Sequence, residues 1–479
     1  MSQYLNCFDY DAVHAQAGEV IRNRKHLKKS TIERYLSYFN EKCKNSKEQF
    51  EQAKQVIPGG IQHNLANNYP FPLSISKAEG PFLYDVDGNR YYDLLMAGGP
   101  TILGNNYPTV RDACVEFIRE NGPLTGLYSD YERKLAELVC HWFPSVEMFR
   151  MLGSGTEADI IGIRLARAYT QKQEIIRIRG GYHGWSDQLI YNANEAAPDA
   201  ALLNGIPVDC FKHTRCIEPN DLEEAERLFE ENETRGGTAA FVMEAIGQDS
   251  GALPTTPAFH KGIEALCRKY NALLIYDEVV TAFRLGMGGA QAIFGTKPDL
   301  TIFGKIMGGC YPCAGGIGGR AELLSMLAAG INGDRSKKVR VGGTLSANPL
   351  TAFAGYTTLK EMERLAIHAP MAKAADEFMH AIAALTEKYN VPALVFNHQS
   401  ILHIDVAAAQ HIPTFFRPGD PEGVRQSRDA AQSVCEFAMA LAAEGVIISG
   451  GGKTYIGYQT ISELESILAA YERVFREFE

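Results

Sequence analysis

Residues 299–305 read "DLTIFGK", a short apolar run that ends in a glycine and a lysine. Three other runs share this plan: "EIIRIRGG" at 174–181, "AAFVMEAIG" at 239–247 and "ALLIYDEVV" at 272–280. Each run closes with polar or glycine residues, and helical stretches separate the runs. Near-continuous apolar strands that alternate with helices are typical of a parallel sheet covered on both faces. The pattern therefore predicts an α/β fold with a mostly parallel central sheet.

The segments on either side of this region follow a different pattern. Residues 80–95 alternate around Asp87 and Gly88, which predicts a hairpin of two short strands. The first sixty residues and the region after about 350 read as mostly helical, so a smaller α+β domain is expected from the two chain ends. The expected division is a helical extension at 1–50, the first part of the small domain at 51–110, the large domain at 111–345 and the rest of the small domain at 346–479.

Two helix starts can be assigned from capping patterns. "STIE" at 30–33 has the serine and glutamate of a capping box. The last helix, within residues 462–475, is expected to use Ser462 and Glu465 in the same way, with Leu464 and Tyr471 on its apolar face.

The composition of the chain indicates which classes of binding partner are disfavoured. The chain has 479 residues and a formal net charge of -10, which disfavours nucleic acid or an anionic membrane, because both reward a clustered positive face. The basic residues at 22–30 are interpreted as a solvated helix face or linker, with an anionic carrier as the alternative. No apolar run approaches the roughly 20 residues that span a bilayer. The start of the chain lacks a secretory pattern, so a cytoplasmic protein is expected.

The ten cysteines are scattered through the chain. "CYPC" at 310–313 is a lone CxxC without a second pair at zinc-ligand spacing. Reduced thiols and no metal site are therefore expected.

A lysine and an aspartate fall at the ends of two of the predicted strands. Lys305 follows one run, and Asp277 ends another, so both are expected at the carboxyl edge of the sheet, where ligands bind in such folds. A lysine that leaves water loses its proton more easily and becomes a nucleophile able to form a Schiff base with an aldehyde. The alternative is a structural ion pair.

Two further features point to a cofactor at that edge. Ser154, Gly155 and Thr156 precede a predicted helix, whose free amides and dipole attract an anion such as phosphate. Tyr182 and His183 directly follow another strand, where an aromatic ring can cover a flat heterocycle. Lysine, carboxylate, phosphate cradle and aromatic platform together are what pyridoxal 5'-phosphate needs.

The motifs that carry these residues resemble a known family. They are "GSGTEA", "GGYHGW", "YDEVVTAFR", "DLTIFGKIMGGCYPCAGGIGGR" and "GGTLSANPL", in the order and approximate spacing of the class III aminotransferases of fold type I. Residues 85–108 are similar to the N-terminal signature of the glutamate-1-semialdehyde aminomutase branch. The resemblance covers roughly residues 52–475. It implies a fold type I transferase that depends on pyridoxal 5'-phosphate.

The resemblance also implies residue roles. Lys305 would form the Schiff base and carry the proton, Asp277 would pair with the pyridine nitrogen, and Tyr182 would stack on the ring. Gly155 and Thr156 would hold the phosphate. Ser154 and His183 are expected beside the cofactor.

Three more positions have implied roles. Thr344 resembles a threonine that reaches the phosphate in the neighbouring subunit, which implies a homodimer with shared active sites. Glu244 matches a glutamate near the ring, although alanine follows it instead of the family's proline. Arg284 is a structural residue of its motif by resemblance, and binding of a substrate carboxylate is the alternative.

The chain departs from the family at the substrate side. Members of this branch that bind a carboxylate have an arginine soon after "PGG", whereas residues 58–72 here contain His63, Asn64, Asn67 and Asn68 and no arginine. A lost bidentate donor weakens carboxylate binding by a few kcal/mol, unless another arginine or a helix dipole compensates. Gly450–Gly452 suggests an open or mobile wall. These departures favour an amine, a β-amino acid or a carrier-linked amine.

Three functions compete at this point. An aminotransferase would move an amino group between an amine or amino acid and a 2-oxo acid in a ping-pong cycle. An aminomutase would run the same half-reactions within one molecule. A binding protein with a retired site would not need Lys305 and Asp277. A nicotinamide dehydrogenase is disfavoured, because "GGIGG" at 315–319 lacks the required strand and helix context.

Overall fold

The computed structural model describes residues 4–190, 205–328, 338–417 and 419–479. Contacts divide the chain into two compact units, Met1–Tyr107 with Ile367–Glu479, and Pro108–Ala366. The finer division expected from the sequence stays a prediction.

Within the described residues, strands and helices alternate along much of the chain. The strands are β1 (Ile75–Glu79), β2 (Phe82–Asp85), β3 (Arg90–Asp93), β4 (Met148–Leu152), β5 (Glu174–Ile178), β6 (Thr214–Ile217), β7 (Thr238–Glu244), β8 (Leu253–Pro254), β9 (Leu273–Asp277), β10 (Leu300–Gly304), β11 (Gly315–Gly319), β12 (Leu394–His398), β13 (Ile401–Asp405), β14 (Val446–Ile447) and β15 (Lys453–Tyr455). The α-helices are Tyr10–Asn23, Lys29–Lys42, Lys44–Ala53, Pro108–Asn121, Asp130–Trp142, Gly155–Thr170, Asp187–Ile190, Val208–Phe211, Leu222–Glu233, Pro257–Lys269, Gly289–Phe294, Ala321–Leu324, Pro349–Leu365, His368–Lys388, Ile412–Phe415, Pro421–Ala443 and Leu464–Phe475. Gln248–Gly251 forms a tight turn in which Asp249 and Ser250 have left-handed φ values. Short 3₁₀ turns occupy Pro58–Gly60, Asn64–Ala66, Met96–Gly98, Lys305–Gly308, Ser325–Leu327, Ala409–His411, Gly450–Gly452 and Tyr458–Glu463.

The unit Pro108–Ala366 is built on a seven-stranded sheet with the order β4-β11-β10-β9-β7-β5-β6. Strand β11 is antiparallel to both neighbours, and the remaining neighbours pair in parallel. The four apolar runs of the sequence form β5, β7, β9 and β10, which lie side by side. The predicted α/β fold with a mostly parallel sheet is confirmed.

Burial on both faces explains why these strands are apolar throughout. All five residues of β9 and of β10 are buried. The helix Gly155–Thr170 packs on one face of the sheet through Ile161 and Leu165. A Cβ on Gly162 would lie 3.2 Å from Ile302 Cδ1, so this glycine lets the helix approach the sheet closely.

The other unit contains a four-stranded sheet, β1-β2-β3-β14, and a three-stranded sheet, β12-β13-β15, together with helices from both chain ends. Strands β2 and β3 pair antiparallel across Asp87 and Gly88. Gly88 has a φ of 86°, the left-handed conformation that a tight turn favours. The predicted hairpin and the smaller α+β domain are confirmed.

The N-terminal basic segment is not a purely solvated face. The Arg24 side chain is 2% exposed and donates to Asp429 Oδ2 at 2.6 Å and to the Ala407 carbonyl at 2.8 Å. Lys28 Nζ lies 4.0 Å from Glu477 Oε2. Residues 24–28 connect the helices Tyr10–Asn23 and Lys29–Lys42, as the linker interpretation predicted, but Arg24 is held against C-terminal parts of its own unit and is not solvated.

Both predicted capping assignments are also wrong. The second helix begins at Lys29, so Ser30 lies inside it, and the hydroxyl of the next residue, Thr31, donates to Glu477 Oε2 at 2.6 Å. The last helix has Glu463 at its N-cap, and Ser462 Oγ donates to the Gln459 carbonyl in the preceding turn. Tertiary and preceding-turn hydrogen bonds outweigh the local capping pattern here.

Two general expectations can be compared with the structure. In the described part of the chain, no helix is both long and apolar enough to cross a bilayer. All ten cysteines are free thiols.

Candidate active site

The predicted site residues follow the ends of parallel strands. Ser154 comes after β4, Tyr182 after β5 and Lys305 after β10, while Glu244 and Asp277 are the last residues of β7 and β9. In the sheet register Glu244 lies opposite Asp277, and Asp277 lies opposite Ile302, three residues before Lys305. Because these strands run in the same direction, their ends bring the residues to one edge of the sheet.

The carboxylate of Asp277 is held by two donors. Its Oδ2 lies 2.9 Å from His183 Nδ1, and its Oδ1 accepts from the Val279 amide at 2.9 Å. The His183 side chain is fully buried, and this burial lowers its pKa. The neutral ring therefore donates from Nδ1, because a carboxylate can only accept. His183 Nε2 has no hydrogen-bond partner among the described residues.

A third acidic group, not identified from the sequence, lies beside this pair. Asp159 is 2% exposed, and its Oδ1 has no hydrogen-bond partner in the described parts of the chain. One donor atom each from Asp159, His183 and Asp277 lie within 4.8 Å of one another. Two charged carboxylates at that distance repel by about 3.5 kcal/mol at an effective dielectric constant of roughly 20. Burial and the charges of Asp277 and Glu244 raise the pKa of Asp159 well above its ordinary value.

The protonation of Asp159 also bears on metal binding. The spacing of these three donor atoms is one that a cation can accept. Metal ligands must give up their protons, however, and an un-ionised acid is a poor ligand. The raised pKa of Asp159 therefore disfavours a metal ion at these three donor atoms, although their spacing would accept one.

Glu244 connects two backbone loops at the sheet edge. Its carboxylate accepts from the amides of Tyr182 at 2.8 Å, Asp249 at 3.1 Å and Ser250 at 2.9 Å. Asp249 and Ser250 have φ values of 48° and 58°, which cost energy in residues other than glycine. Burial, followed by the charge of Asp277, raises the pKa of Glu244 to about 7.

The start of the helix Gly155–Thr170 forms an anion cradle. Ser154 is its N-cap, and the Ser154 hydroxyl accepts from the Glu157 amide at 3.2 Å. The first amides of a helix have no intrahelical acceptor, so those of Gly155 and Thr156 are available to a phosphate. A Cβ on Gly184, whose φ is 77°, would lie 2.2 Å from Thr156 Oγ1. The loop after β5 can therefore press against the cradle only because Gly184 has no side chain.

Val279 lies beside the anion cradle, Asp277 and the strand end that precedes Lys305. Its amide binds Asp277, as described above. A Cβ on Gly155 would lie 2.7 Å from Val279 Cγ2, and a Cβ on Gly304 would lie 3.0 Å from Val279 Cγ1. Lys305 follows Gly304 directly, is partly buried and has a φ of 50°. Sequence analysis missed Val279, although its position two residues after Asp277 in "YDEVV" places it at the same edge.

Tyr182 is positioned as a platform at the mouth of the site. Its backbone is fixed by Glu244, whereas its side chain is 52% exposed and leaves a ring face open. Trp185, three residues later, is 73% exposed. The open ring of Tyr182 near the buried Asp277 suits a flat heterocycle, and the exposed ring of Trp185 offers apolar surface in the same loop.

The exposure of two other sequence candidates bears on their roles. Thr344 lies in an exposed turn, which borders a cavity of about 310 Å³ lined by Phe149, Leu152, Gly343 and Ser346. Its contact with a partner's phosphate stays a prediction. Arg284 is 1% exposed, so the structure favours the structural role over binding of a substrate carboxylate.

Residues 64–460 match the model of the family described as aminotransferase class-III. The chain belongs to the class III aminotransferase family. It is accordingly an enzyme that depends on pyridoxal 5'-phosphate and acts on amines and keto acids, as the sequence predicted. The anion cradle, the buried Asp277, the open Tyr182 ring and the adjacent Lys305 all fit that cofactor.

Solved structures agree with this assignment. The class III aminotransferase chain is 26% identical to an omega-transaminase from Sphaerobacter thermophilus, with a TM-score of 0.78 over 90% of this chain and 97% of the other. It is 26% identical to a beta-phenylalanine aminotransferase from Variovorax paradoxus, with a TM-score of 0.77 over 93% and 96%. A glutamate-1-semialdehyde-aminomutase from Pseudomonas aeruginosa PAO1 is 20% identical, with a TM-score of 0.78 over 94% and 99%, and shares the fold.

Proposed function

We propose that this class III aminotransferase moves an amino group from an amine or amino acid to a 2-oxo acid in a ping-pong cycle, with Lys305 as its catalytic lysine. The observation that carries the proposal is the convergence on Val279, which contacts the cradle at Gly155 and the strand end before Lys305, and whose amide binds Asp277. A structural lysine would not require the phosphate cradle and the carboxylate at the same sheet edge.

Pyridoxal 5'-phosphate, when bound, supplies an aldehyde and a ring that withdraws electrons from the substrate carbon. The amides of Gly155 and Thr156 and the Thr156 hydroxyl would hold its phosphate. Asp277, oriented by His183, would accept a hydrogen bond from the ring nitrogen and keep that nitrogen protonated. Tyr182 would cover one ring face.

Lys305 is the residue that moves protons in this scheme. Its Nζ would take a proton from the donor's carbon in the first half-reaction and deliver a proton to the acceptor's carbon in the second. Lys305 lies in the 3₁₀ turn immediately after β10 and is partly buried, which limits the access of water to its amine. The fixed position at the strand end orients the amine for repeated proton transfer.

The experiment for the reaction is a scan of single substrates against the loaded enzyme. Aliphatic amines, α-amino acids and β-amino acids are added one at a time, and the cofactor absorbance is followed for conversion to the pyridoxamine form. A ping-pong cycle predicts that the donor alone converts the cofactor to the pyridoxamine form. The aminated product should then form only after a 2-oxo acid is added. Turnover of a single substrate to product without any 2-oxo acid would instead support an intramolecular aminomutase, the candidate favoured by the signature at 85–108.

Two observations support an amine or β-amino acid as the donor. Residues 58–72 lack the arginine that fixes a carboxylate in related members, and the 26% identical enzyme from Variovorax paradoxus is described as acting on beta-phenylalanine. The exposed rings of Tyr182 and Trp185 are suited to an aromatic or apolar group. A carrier-linked amine is less well supported, because part of the basic N-terminal segment is used within its own unit.

We also infer a homodimer with shared active sites. Supporting features in the unit Pro108–Ala366 are the exposed apolar side chains of Leu127 (77%), Tyr128 (72%) and Leu345 (47%), the last beside Thr344. Mixed dimers of Lys305→Ala and Thr344→Ala chains test the shared site. If each active site takes Lys305 from one subunit and Thr344 from the other, a mixed dimer has one site with both native residues. Mixing the two inactive variants should then restore activity. Absence of any restoration in verified mixed dimers would contradict it.

A further inference from the structure

Asp159 is a buried acid for which the proposed reaction has no use so far. It lies on the inward face of the helix Gly155–Thr170, one turn after the phosphate cradle, and is 2% exposed. Most acidic side chains at such positions are paired. Asp159 Oδ1, by contrast, has no hydrogen-bond partner within the described residues.

The charged surroundings of Asp159 come from three neighbouring strand ends. Asp277 at the end of β9 and Glu244 at the end of β7 are acidic, and Arg177 on β5 is basic. Arg177 is fully buried, and it donates to the carbonyls of Leu189 and Gly181. The Arg177 guanidinium interacts with the charges of Asp159 and Glu244, and Asp277 adds a third carboxyl group, so the three carboxyl groups cannot all be ionised in this buried region without a large penalty.

The geometry decides which carboxyl keeps its charge. Asp277 accepts hydrogen bonds from His183 and the Val279 amide, and both bonds favour its ionised form. Glu244 accepts three backbone amides, which favour its ionised form in the same way. Asp159 has an oxygen without a partner and lies within 4.8 Å of the Asp277 and His183 donor atoms. The proton therefore belongs on Asp159.

We propose that Asp159 is a positioning residue that stays un-ionised in the working enzyme and leaves Asp277 as the negative charge that faces the cofactor nitrogen. This inference rests on the role proposed for Asp277. A neutral Asp159 fills the space beside the Asp277–His183 pair and would not compete with Asp277 for the proton on the cofactor nitrogen. An ionised Asp159 would offer that proton a second acceptor and would repel Asp277 from its two donors.

Infrared difference spectroscopy of the loaded enzyme tests the protonation directly. Wild type is compared with Asp159→Asn at about pH 8, where ordinary aspartates are ionised. We expect the variant to lose one carbonyl-stretching band of a protonated carboxylic acid, and the wild-type band to shift in deuterated buffer. Asp405→Asn is the matched control, because Asp405 is also buried and its pKa is raised only to about 6. This control should lose a carboxylate band instead.

Cofactor affinity gives a second readout that does not depend on turnover. Asp159→Asn keeps the shape and neutrality of the side chain, so its dissociation constant for pyridoxal 5'-phosphate should stay within about threefold of wild type. Asp159→Ala leaves a cavity beside His183 and should weaken binding about tenfold. Should the alanine variant fail to fold, the infrared comparison of wild type with the asparagine variant decides alone.

Two results would contradict a neutral Asp159. Loss of a carboxylate band in Asp159→Asn, or an asparagine variant that binds cofactor as weakly as the alanine variant, would show that the ionised form is needed and would overturn the inference. A failure of the proposed function is distinguishable from this. It would appear as normal turnover in Asp277→Asn, whatever the protonation of Asp159.

Discussion

Replacing Gly155 with alanine tests the packing that joins the cradle to Asp277. The added Cβ would lie 2.7 Å from Val279 Cγ2, whereas carbon atoms in contact prefer about 3.5–4.0 Å. One of the two must move by several tenths of an ångström. Overpacking of this kind costs about 1–3 kcal/mol, and alanine recovers up to about 1 kcal/mol by its better helix propensity. The expected net loss in the free energy of unfolding is therefore between about 0 and 3 kcal/mol, with a central value of about 1–2 kcal/mol.

The same displacement should reach the cofactor, because the Val279 amide holds the Asp277 carboxylate. We expect roughly tenfold weaker binding of pyridoxal 5'-phosphate, equivalent to about 1.4 kcal/mol. Denaturant unfolding of the cofactor-free protein and fluorescence titration with cofactor measure the two effects. Gly450→Ala is the control for stability, because the nearest atom to its Cβ is 4.0 Å away.

A double-mutant cycle separates the Val279 contact from other effects of the alanine. Val279→Ala removes the methyl groups that Gly155→Ala would strike, so the double variant should be more stable than the sum of the two single losses by about 1 kcal/mol. Strict additivity of the two variants, or an unchanged Gly155→Ala protein, would refute the packing described around Val279.

Three other variants test separate parts of the structure. Asp277→Asn should keep the fold and lower turnover by about two orders of magnitude or more, because an amide does not keep the ring nitrogen protonated; near-normal turnover would contradict the assigned role. Burial raises the pKa of Glu244 from 4.5 to about 7 in the folded chain. Between about pH 4.5 and 7 the folded chain therefore binds this proton more tightly than the unfolded chain does. Stability should fall across that range as the pH rises. Unfolding curves of Glu244→Gln across that range should lack this decline, and an unchanged slope would argue against the buried carboxyl. Arg24→Ala removes the hydrogen bonds to Asp429 and to the Ala407 carbonyl and should cost about 2 kcal/mol in unfolding free energy, because Asp429 is 35% exposed and stays partly solvated; a loss below about 0.5 kcal/mol is the contrary result.

The sheet could be predicted from the sequence because its strands are buried on both faces. Continuous apolar runs followed by polar residues at 174–181, 239–247, 272–280 and 299–305 leave few alternatives to adjacent parallel strands. The hairpin at Asp87 and Gly88 was equally accessible, since the turn chemistry is local. These elements depend on short-range patterns, and such patterns are visible in one sequence.

The features that sequence analysis missed depend on contacts between distant residues. Ser30 has the right neighbours for a cap, but the hydrogen bond from Thr31 to Glu477 and the earlier start at Lys29 depend on the far end of the chain. Arg24 is buried by a helix some 400 residues later. Asp159 stands among apolar residues of an obviously amphipathic helix, and that mismatch was the available signal for a buried acid.

The identity of the catalytic lysine is tested most directly by trapping it. The loaded enzyme is reduced with borohydride, digested and mapped by mass spectrometry, with unreduced enzyme and Lys305→Ala as controls. The structure predicts a single stable pyridoxyl adduct on the peptide that contains Lys305, and none on that peptide in either control. An adduct on another lysine, or Lys305→Ala protein that still traps the cofactor and turns over substrate, would contradict the account.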